Sequence, residues 1–300
     1  MHEFDFIQQR LNRRTFLRTS IGGASLGLCM ASLAEDPKRS FHGVVGITTG
    51  GGVGEQRRRG ELKLLDLPKY VRNELGMTVI DLNTRWIKSS APRDLMKVRD
   101  IATAVGCQFS NLKVNHKFGE LYSHNPKEQQ AALTAAQRLI DAAHILGTRW
   151  IRFTIRASEA KSPKAHRQLA EYAKPKGIQL LIENGSRQKD PRAVASTVKA
   201  IGVNVAPCPD TGNWADSTRM EGLRQTFPGA ASCDFKVYEL NADRSHPKYD
   251  LKQCFDIGWQ AGFRGPWIIE HMKPTTSGFA KDTVYIREML AGWIKTASKK

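Results

Sequence analysis

The chain has 300 residues, of which 40% are hydrophobic and 25% charged. That balance excludes a disordered, collagen-like or multi-span membrane protein and leaves room for a sizeable core, while the length admits one large α/β barrel or two smaller domains. Lysine and arginine outnumber the acids 46 to 29, a net charge of +17 that suits an anionic partner without choosing between nucleic acid, phosphate and a membrane surface.

The N-terminus reads as a targeting segment. Asn12-Arg13-Arg14-Thr15-Phe16-Leu17-Arg18 precedes a weakly apolar run, Ile21 to Ala34, that ends in small residues. Residues 1–34 are therefore expected to be a twin-arginine export signal, with 35–42 as a linker. Such a signal implies the twin-arginine export machinery as a partner and a periplasmic or otherwise exported location. The apolar run is 14 residues long, against the roughly 20 that a spanning helix needs, so no stable membrane span is expected. Cleavage after Ala34 would leave 42 basic and 27 acidic residues, or +15. Cys107, Cys208, Cys233 and Cys254 remain in the mature chain without C-x-x-C spacing and are expected as buried free thiols.

Beyond residue 42 the chain repeats one unit. Short runs rich in Val, Ile and aromatics predict strands at 44–48, 77–82, 107–114, 148–154, 178–183, 203–208, 231–236 and 267–271. Between them lie helical patterns with recognisable ends. Asn125-Pro126-Lys127-Glu128 supplies an N-cap, a first-turn proline and a capping-box acid, and Gly147 supplies the stop. Ser162-Pro163 with Gly177, and Asp190-Pro191 with Gly202, repeat the scheme. Eight such units predict an α/β fold, a single (β/α)8 TIM barrel over 43–297, followed by a basic tail at 298–300. Gly50-Gly51-Gly52-Val53-Gly54 follows the first strand, but three arginines and no apolar helical start come after it. It is read as a flexible loop rather than a dinucleotide cradle.

In such a barrel the chemistry sits where the strands end. Strand five closes with Glu183-Asn184, strand six runs into Asp210-Thr211-Gly212-Asn213-Trp214, strand seven carries Asp234 and Lys236 on one face, and strand eight closes with Glu270. Four unpaired acids on one rim would repel one another. A divalent cation would compensate them, with all-carboxylate ligation favouring Mn²⁺ or Mg²⁺, and Zn²⁺ or Co²⁺ as alternatives. Neutralisation by Lys236, Arg152 and Arg156 is the competing account. Asn115, Arg152, Asn184, Asn213, Trp214 and Lys236 are candidate substrate contacts. Trp214 is placed either as a stacking platform or as a cap over the mouth, and Lys236 either on substrate or salt-bridged to Asp234. His271 should point into the helix layer and His144 should be structural.

These segments carry a resemblance. Leu65-Asp66-Leu67-Pro68 with Glu74-Leu75-Gly76-Met77, Leu180 to Asn184, Pro209 to Trp214 and Trp267 to Glu270 resemble the xylose-isomerase-like TIM barrel superfamily, the sugar phosphate isomerase/epimerase group, over roughly Phe41 to Trp293. The resemblance implies one divalent metal ion on Glu183, Asp210, Asp234 and Glu270, with Asp234 standing where the family usually has histidine. It also implies Glu183 and Glu270 as a catalytic pair moving a proton next to a sugar carbonyl through an enediolate. A small-molecule carbohydrate is the expected substrate.

Three other activities are compatible with the same residues. The same enolisation could end in elimination from a 3-keto-glycoside, a 3-keto-glycoside eliminase or hydrolase. A non-catalytic sugar-binding barrel is a further reading. Phosphodiester cleavage of the endonuclease IV type ranks last, because the strand ends offer few histidines for zinc, and no nucleic-acid partner is expected.

Overall fold

The computed structural model describes residues 41–115, 121, 123–154, 163–272 and 278–299. The proposed signal and most of the linker lie outside them, as does Arg156. Eight parallel strands follow in chain order: β1 (Val45–Thr48), β2 (Val79–Asn83), β3 (Gln108–Val114), β4 (Trp150–Thr154), β5 (Gln179–Glu183), β6 (Val205–Cys208), β7 (Cys233–Val237) and β8 (Trp267–His271). Their hydrogen-bonded order is β6-β5-β4-β3-β2-β1-β8-β7. A parallel bridge between Asp210 and Asp234 joins the two ends of the sheet. Thr211 N and Asp234 N donate to Asp234 O and Pro209 O at 2.9 Å each. The sheet is therefore a closed (β/α)8 barrel, as the alternation of elements predicts.

The helices are α1 (Gly51–Arg58), α2 (Leu67–Asn73), α3 (Pro92–Ala104), α4 (Pro126–Leu146), α5 (Pro163–Ala173), α6 (Ala193–Ile201), α7 (Arg219–Thr226), α8 (Leu251–Gln260) and α9 (Phe279–Ala297). The caps of α4 behave as read: Asn125 Oδ1 accepts from Lys127 N at 3.0 Å, and Gly147 closes the helix with φ of 73°. Gly177 and Gly202 likewise adopt left-handed φ of 70° and 72°, which lets the chain leave a helix and enter the next strand without the Cβ clash other residues would suffer. No described helix is long and apolar enough to cross a membrane.

One expectation fails. The glycine-rich segment after β1 is helix α1, not a flexible loop. Its turn closes with Gly54 N on Gly50 O at 3.0 Å, and Val53 anchors it with 1% exposure. Gly51 has φ of +49°, and a Cβ there would collide with the His271 carbonyl oxygen, so glycine is needed for the helix to pass over the end of β8.

Two apolar regions hold the barrel. Outside it, Phe227, Phe235, Phe255 and Phe263 surround the fully buried Trp267, with ring centroids 4.9 to 5.9 Å apart. The two edge-to-face contacts among them, from Phe235 and Phe263, add roughly 0.5–1.5 kcal/mol each beyond area burial. Inside it, Val79, Trp150, Leu181, Ala206, Cys208 and Ile268 fill the lower layer, and Phe41 packs on Trp150 at 5.2 Å. The four described cysteines are free and buried, as expected.

Candidate active site

Two residues beyond this apolar floor, the inward positions of β2, β4, β5 and β8 become polar. Val79 is followed by Asp81, Trp150 by Arg152, Leu181 by Glu183 and Ile268 by Glu270, because a strand repeats its facing every two residues. Asp81, Asp210 and Asp234 are 0% exposed, Glu183 is 5% exposed, and Glu270 retains 18% at the rim. Charges so far from water must be paired.

Three basic side chains meet these acids. Lys113 Nζ lies 2.6 Å from Asp234 Oδ2. Arg152 Nη1 is paired with Glu183 Oε2. Lys236 Nζ lies 2.8 Å from Asp210 Oδ2, 3.1 Å from Glu270 Oε2 and 2.8 Å from Asn213 Oδ1. Asp234 and Lys236 do share a face, but the ion pair between them, one of the two placements read for Lys236, is not formed: Lys113 holds Asp234 from the opposite side of the barrel. Lys113 is the principal residue that strand-end reasoning missed. Its signal was a lysine in an otherwise buried strand, Gln108-Phe109-Ser110-Asn111-Leu112-Lys113-Val114.

Asp81, at a strand end that could line the pocket, is a buried acid of this layer. It accepts from Ser110 Oγ and, at 3.0 Å, from Asn111 Nδ2. A register shift between β2 and β3 at Ile80/Asp81 brings both donors to it. Gly50 is a second residue that strand-end reasoning missed: a Cβ there would lie 3.3 Å from Glu270 Oε1, so glycine keeps the flank of Glu270 open.

The loop after β6 is rigidly tied. Asn184 Nδ2 donates to Asp210 O at 3.0 Å and Asn184 Oδ1 accepts from Asp210 N at 2.8 Å. Asp210 Oδ1 accepts from Gly212 N at 2.8 Å and Asn213 N at 3.1 Å. Arg219 Nε and Nη2 hold Thr211 O and Trp214 O at 3.1 and 3.2 Å, with the guanidinium over Tyr249. Asn184 is thus spent on the backbone, while Asn213 presents its carbonyl to Lys236. Trp214, expected at the mouth, is 2% exposed and packs over Gly222 of α7 within the outer core. Its large apolar ring gains more by burial against that helix than by standing in water. Asn115 N donates to Thr84 Oγ1 at 3.3 Å, and its own Oδ1 is buried without a hydrogen-bond partner. His271 points outward as expected, with Nδ1 3.0 Å from Thr283 Oγ1 and its ring stacked on Phe279. His144 Nδ1 lies 2.9 Å from Lys176 O, a structural contact.

Burial raises the Asp210 carboxyl to about 7 despite Lys236, with Glu270 and Asp234 pushing the same way. It raises Asp81 to about 6, against the opposing pull of Lys113. At Glu270 burial is outweighed by Lys236, Lys113 and Arg152, which hold the carboxyl down to about 2. Lys113 and Lys236 stay above the ordinary lysine value, because their acid partners overcome the cost of burial.

Glu183, Asp210 and Asp234 each offer a carboxylate oxygen within 4.8 Å of the others. Asp234 Oδ1 is buried with no hydrogen-bond partner, and Asp210 Oδ2 has only its ion pair. Five inward acids against three bases leave two negative charges among the described residues when all are ionised. A divalent cation fits both the donor chemistry and that charge. Glu270 stands outside the convergent triad, its carboxylate held by Lys236.

No family model matches the sequence, and no curated protein matches it. Solved structures do match the fold. A xylose isomerase domain protein from Planctomyces limnophilus superposes with a TM-score of 0.64 at 16% identity, covering 87% of this chain and all of that one. D-psicose 3-epimerase from Clostridium cellulolyticum H10, solved with D-tagatose, gives 0.62 at 14% identity, over 85% and 97% of the two chains. A xylose isomerase-like TIM barrel protein from Mycobacterium smegmatis, in complex with magnesium, gives 0.60 at 16% over 85% and 97%. The structural neighbours are thus xylose isomerase-like barrels, among them sugar isomerases and epimerases.

Proposed function

We propose that the protein is an exported sugar isomerase or epimerase that moves a proton at the carbon beside a carbonyl. The observation that carries this reading is the convergence of Glu183, Asp210 and Asp234 at the carboxyl end of a barrel whose structural neighbours include sugar epimerases. In this reading Glu183, Asp210 and Asp234 hold one divalent cation, Mn²⁺ or Mg²⁺ by donor type. Held there, a divalent ion would supply Lewis-acid stabilisation of negative charge developing on a substrate oxygen. Glu270, ionised and still in contact with solvent, takes the proton on one side, and Glu183 serves the other. Lys236 links the steps: an ammonium that turns from Glu270 toward a substrate oxygen stabilises developing negative charge there and frees Glu270 to accept a proton. Asn213 supports Lys236, and Asn184 fixes Asp210.

Incubation in D₂O with candidate keto sugars, with Mn²⁺ or Mg²⁺ added, should place deuterium at the carbon beside the carbonyl. Glu183→Gln or Glu270→Gln should cut that exchange by about 10² to 10⁴. Unchanged exchange in both variants overturns the assignment. Product analysis separates isomerisation and epimerisation from elimination at a 3-keto-glycoside, which shares the enolisation step. One observation favours a second reading, a sugar-binding barrel without catalysis: each triad carboxylate already has a basic partner. Sugar binding with no exchange in any protein would establish it. The triad has no histidine, so the zinc-dependent nuclease reading gains no support.

A further inference from the structure

We propose that Lys113 is a built-in counter-cation of the carboxylate centre that competes with a divalent metal ion for Asp234, so that the site takes up metal reversibly. The inference rests on the metal reading given above. Lys113 is 2% exposed and comes from β3, across the barrel from β7. Its ammonium sits on Asp234 Oδ2, while Oδ1 of the same carboxylate is buried without a hydrogen-bond partner. Asp234 is also one of the three residues whose oxygens converge. One fully buried carboxylate therefore carries a tethered positive charge on one oxygen and an unused donor on the other.

Such an arrangement has two consequences. Without metal, Lys113 offsets a charge that would otherwise face Glu183, Asp210, Asp81 and Glu270 with only Arg152 and Lys236 among the described residues to balance all five acids. With metal, the ammonium and the cation share Asp234 and repel one another where water screens poorly. Lys113 thus stabilises the metal-free barrel and weakens its hold on the ion. A neutral side chain of similar length reverses both effects.

The test uses the mature chain stripped with chelator and titrated with Mn²⁺ by calorimetry, alongside the melting temperature without metal. Lys113→Met should bind one Mn²⁺ per chain at least about tenfold more tightly than the wild type and should melt at a lower temperature when metal-free. Lys113→Arg, which keeps the charge, should stay within a few-fold of the wild type in affinity. Binding by Lys113→Met alone also supports the proposal, as a fully blocking lysine. If the wild type binds Mn²⁺ and Lys113→Met binds it no more tightly, the proposal fails while the metal reading stands. If neither binds at millimolar Mn²⁺, the metal reading fails and this proposal with it. Should Lys113→Met not fold in chelator, refolding with millimolar Mn²⁺ supports the role of replaced counter-cation, and failure to refold overturns it.

Discussion

Replacing Lys236 with methionine keeps the length of the side chain and removes one charge from the centre of the site. The ammonium it removes touches Asp210 at 2.8 Å, Glu270 at 3.1 Å and Asn213 at 2.8 Å, and it is 7% exposed. Stripping one partner from a buried ion pair costs about 3–5 kcal/mol, because the remaining charge has neither water nor counter-ion. Asp210 limits that loss by taking up a proton. With Lys236 present its carboxyl already titrates at about 7; without the lysine it moves higher and stays protonated at pH 8. Between pH 5 and 7 wild type and variant both hold this proton, so their stabilities change in parallel. Above 7 only the variant still holds it, and it alone continues to lose stability, by about 1.4 kcal/mol per pH unit. The penalty at pH 8 should therefore exceed that at pH 5 by about 1 kcal/mol. Urea denaturation of both proteins in chelator at the two pH values measures this. A penalty below about 1 kcal/mol at pH 8, where an exposed pair would place it, or a larger penalty at pH 5, would refute the assignment of Lys236 as the shared counter-charge.

Asp81 gives a complementary pH signature. Its folded carboxyl is raised to about 6 from 3.8, so the folded state binds a proton that the unfolded state has released, and stability from this group falls as pH climbs from about 4 to 6. Asp81→Asn lacks that fall and should gain on the wild type by on the order of 3 kcal/mol across the window; parallel thermal melts in chelator that keep a constant gap would disprove it. Gly222→Ala would place a Cβ 2.5 Å from the buried Trp214 ring, and overpacking of this kind costs about 1–3 kcal/mol. A lower urea midpoint with a changed tryptophan emission is expected, and an unaltered midpoint would contradict the packing. Changing Arg13 and Arg14 to lysine should retain the precursor in the cytoplasm, and undiminished recovery of mature protein from the periplasm would dismiss the export reading.

The barrel was legible because its determinants are local. Left-handed glycines at 147, 177 and 202 end helices whatever surrounds them, and runs such as Gln179–Glu183 have few alternatives to a buried parallel strand. Period-two alternation also placed Asp234 and Lys236 inward, Phe235 and His271 outward, and the acids at the rim. The strand-end acids were readable for the same reason: in this fold the end of a strand is an address.

The pairing of charges was not local, and the sequence could not supply it. Strict alternation from the outward Phe109 would send Asn111 and Lys113 into the helix layer. The register shift opposite Ile80/Asp81 adds one residue, turns Ser110 and Asn111 toward Asp81, and delivers the Lys113 ammonium to a strand 121 residues away in sequence. Lys236 was legible as an inward residue, but its choice of Asp210 and Glu270 over Asp234 depends on Lys113 having taken Asp234. Trp214 shows the same division: its loop position was readable, while the glycine in α7 that makes room for its ring is a matter of packing. Local pattern was enough to bring the strand-end acids and Lys236 to the mouth of the barrel. Tertiary structure decided which charge meets which, because a one-residue shift in one strand pairing reverses the facing of every residue after it.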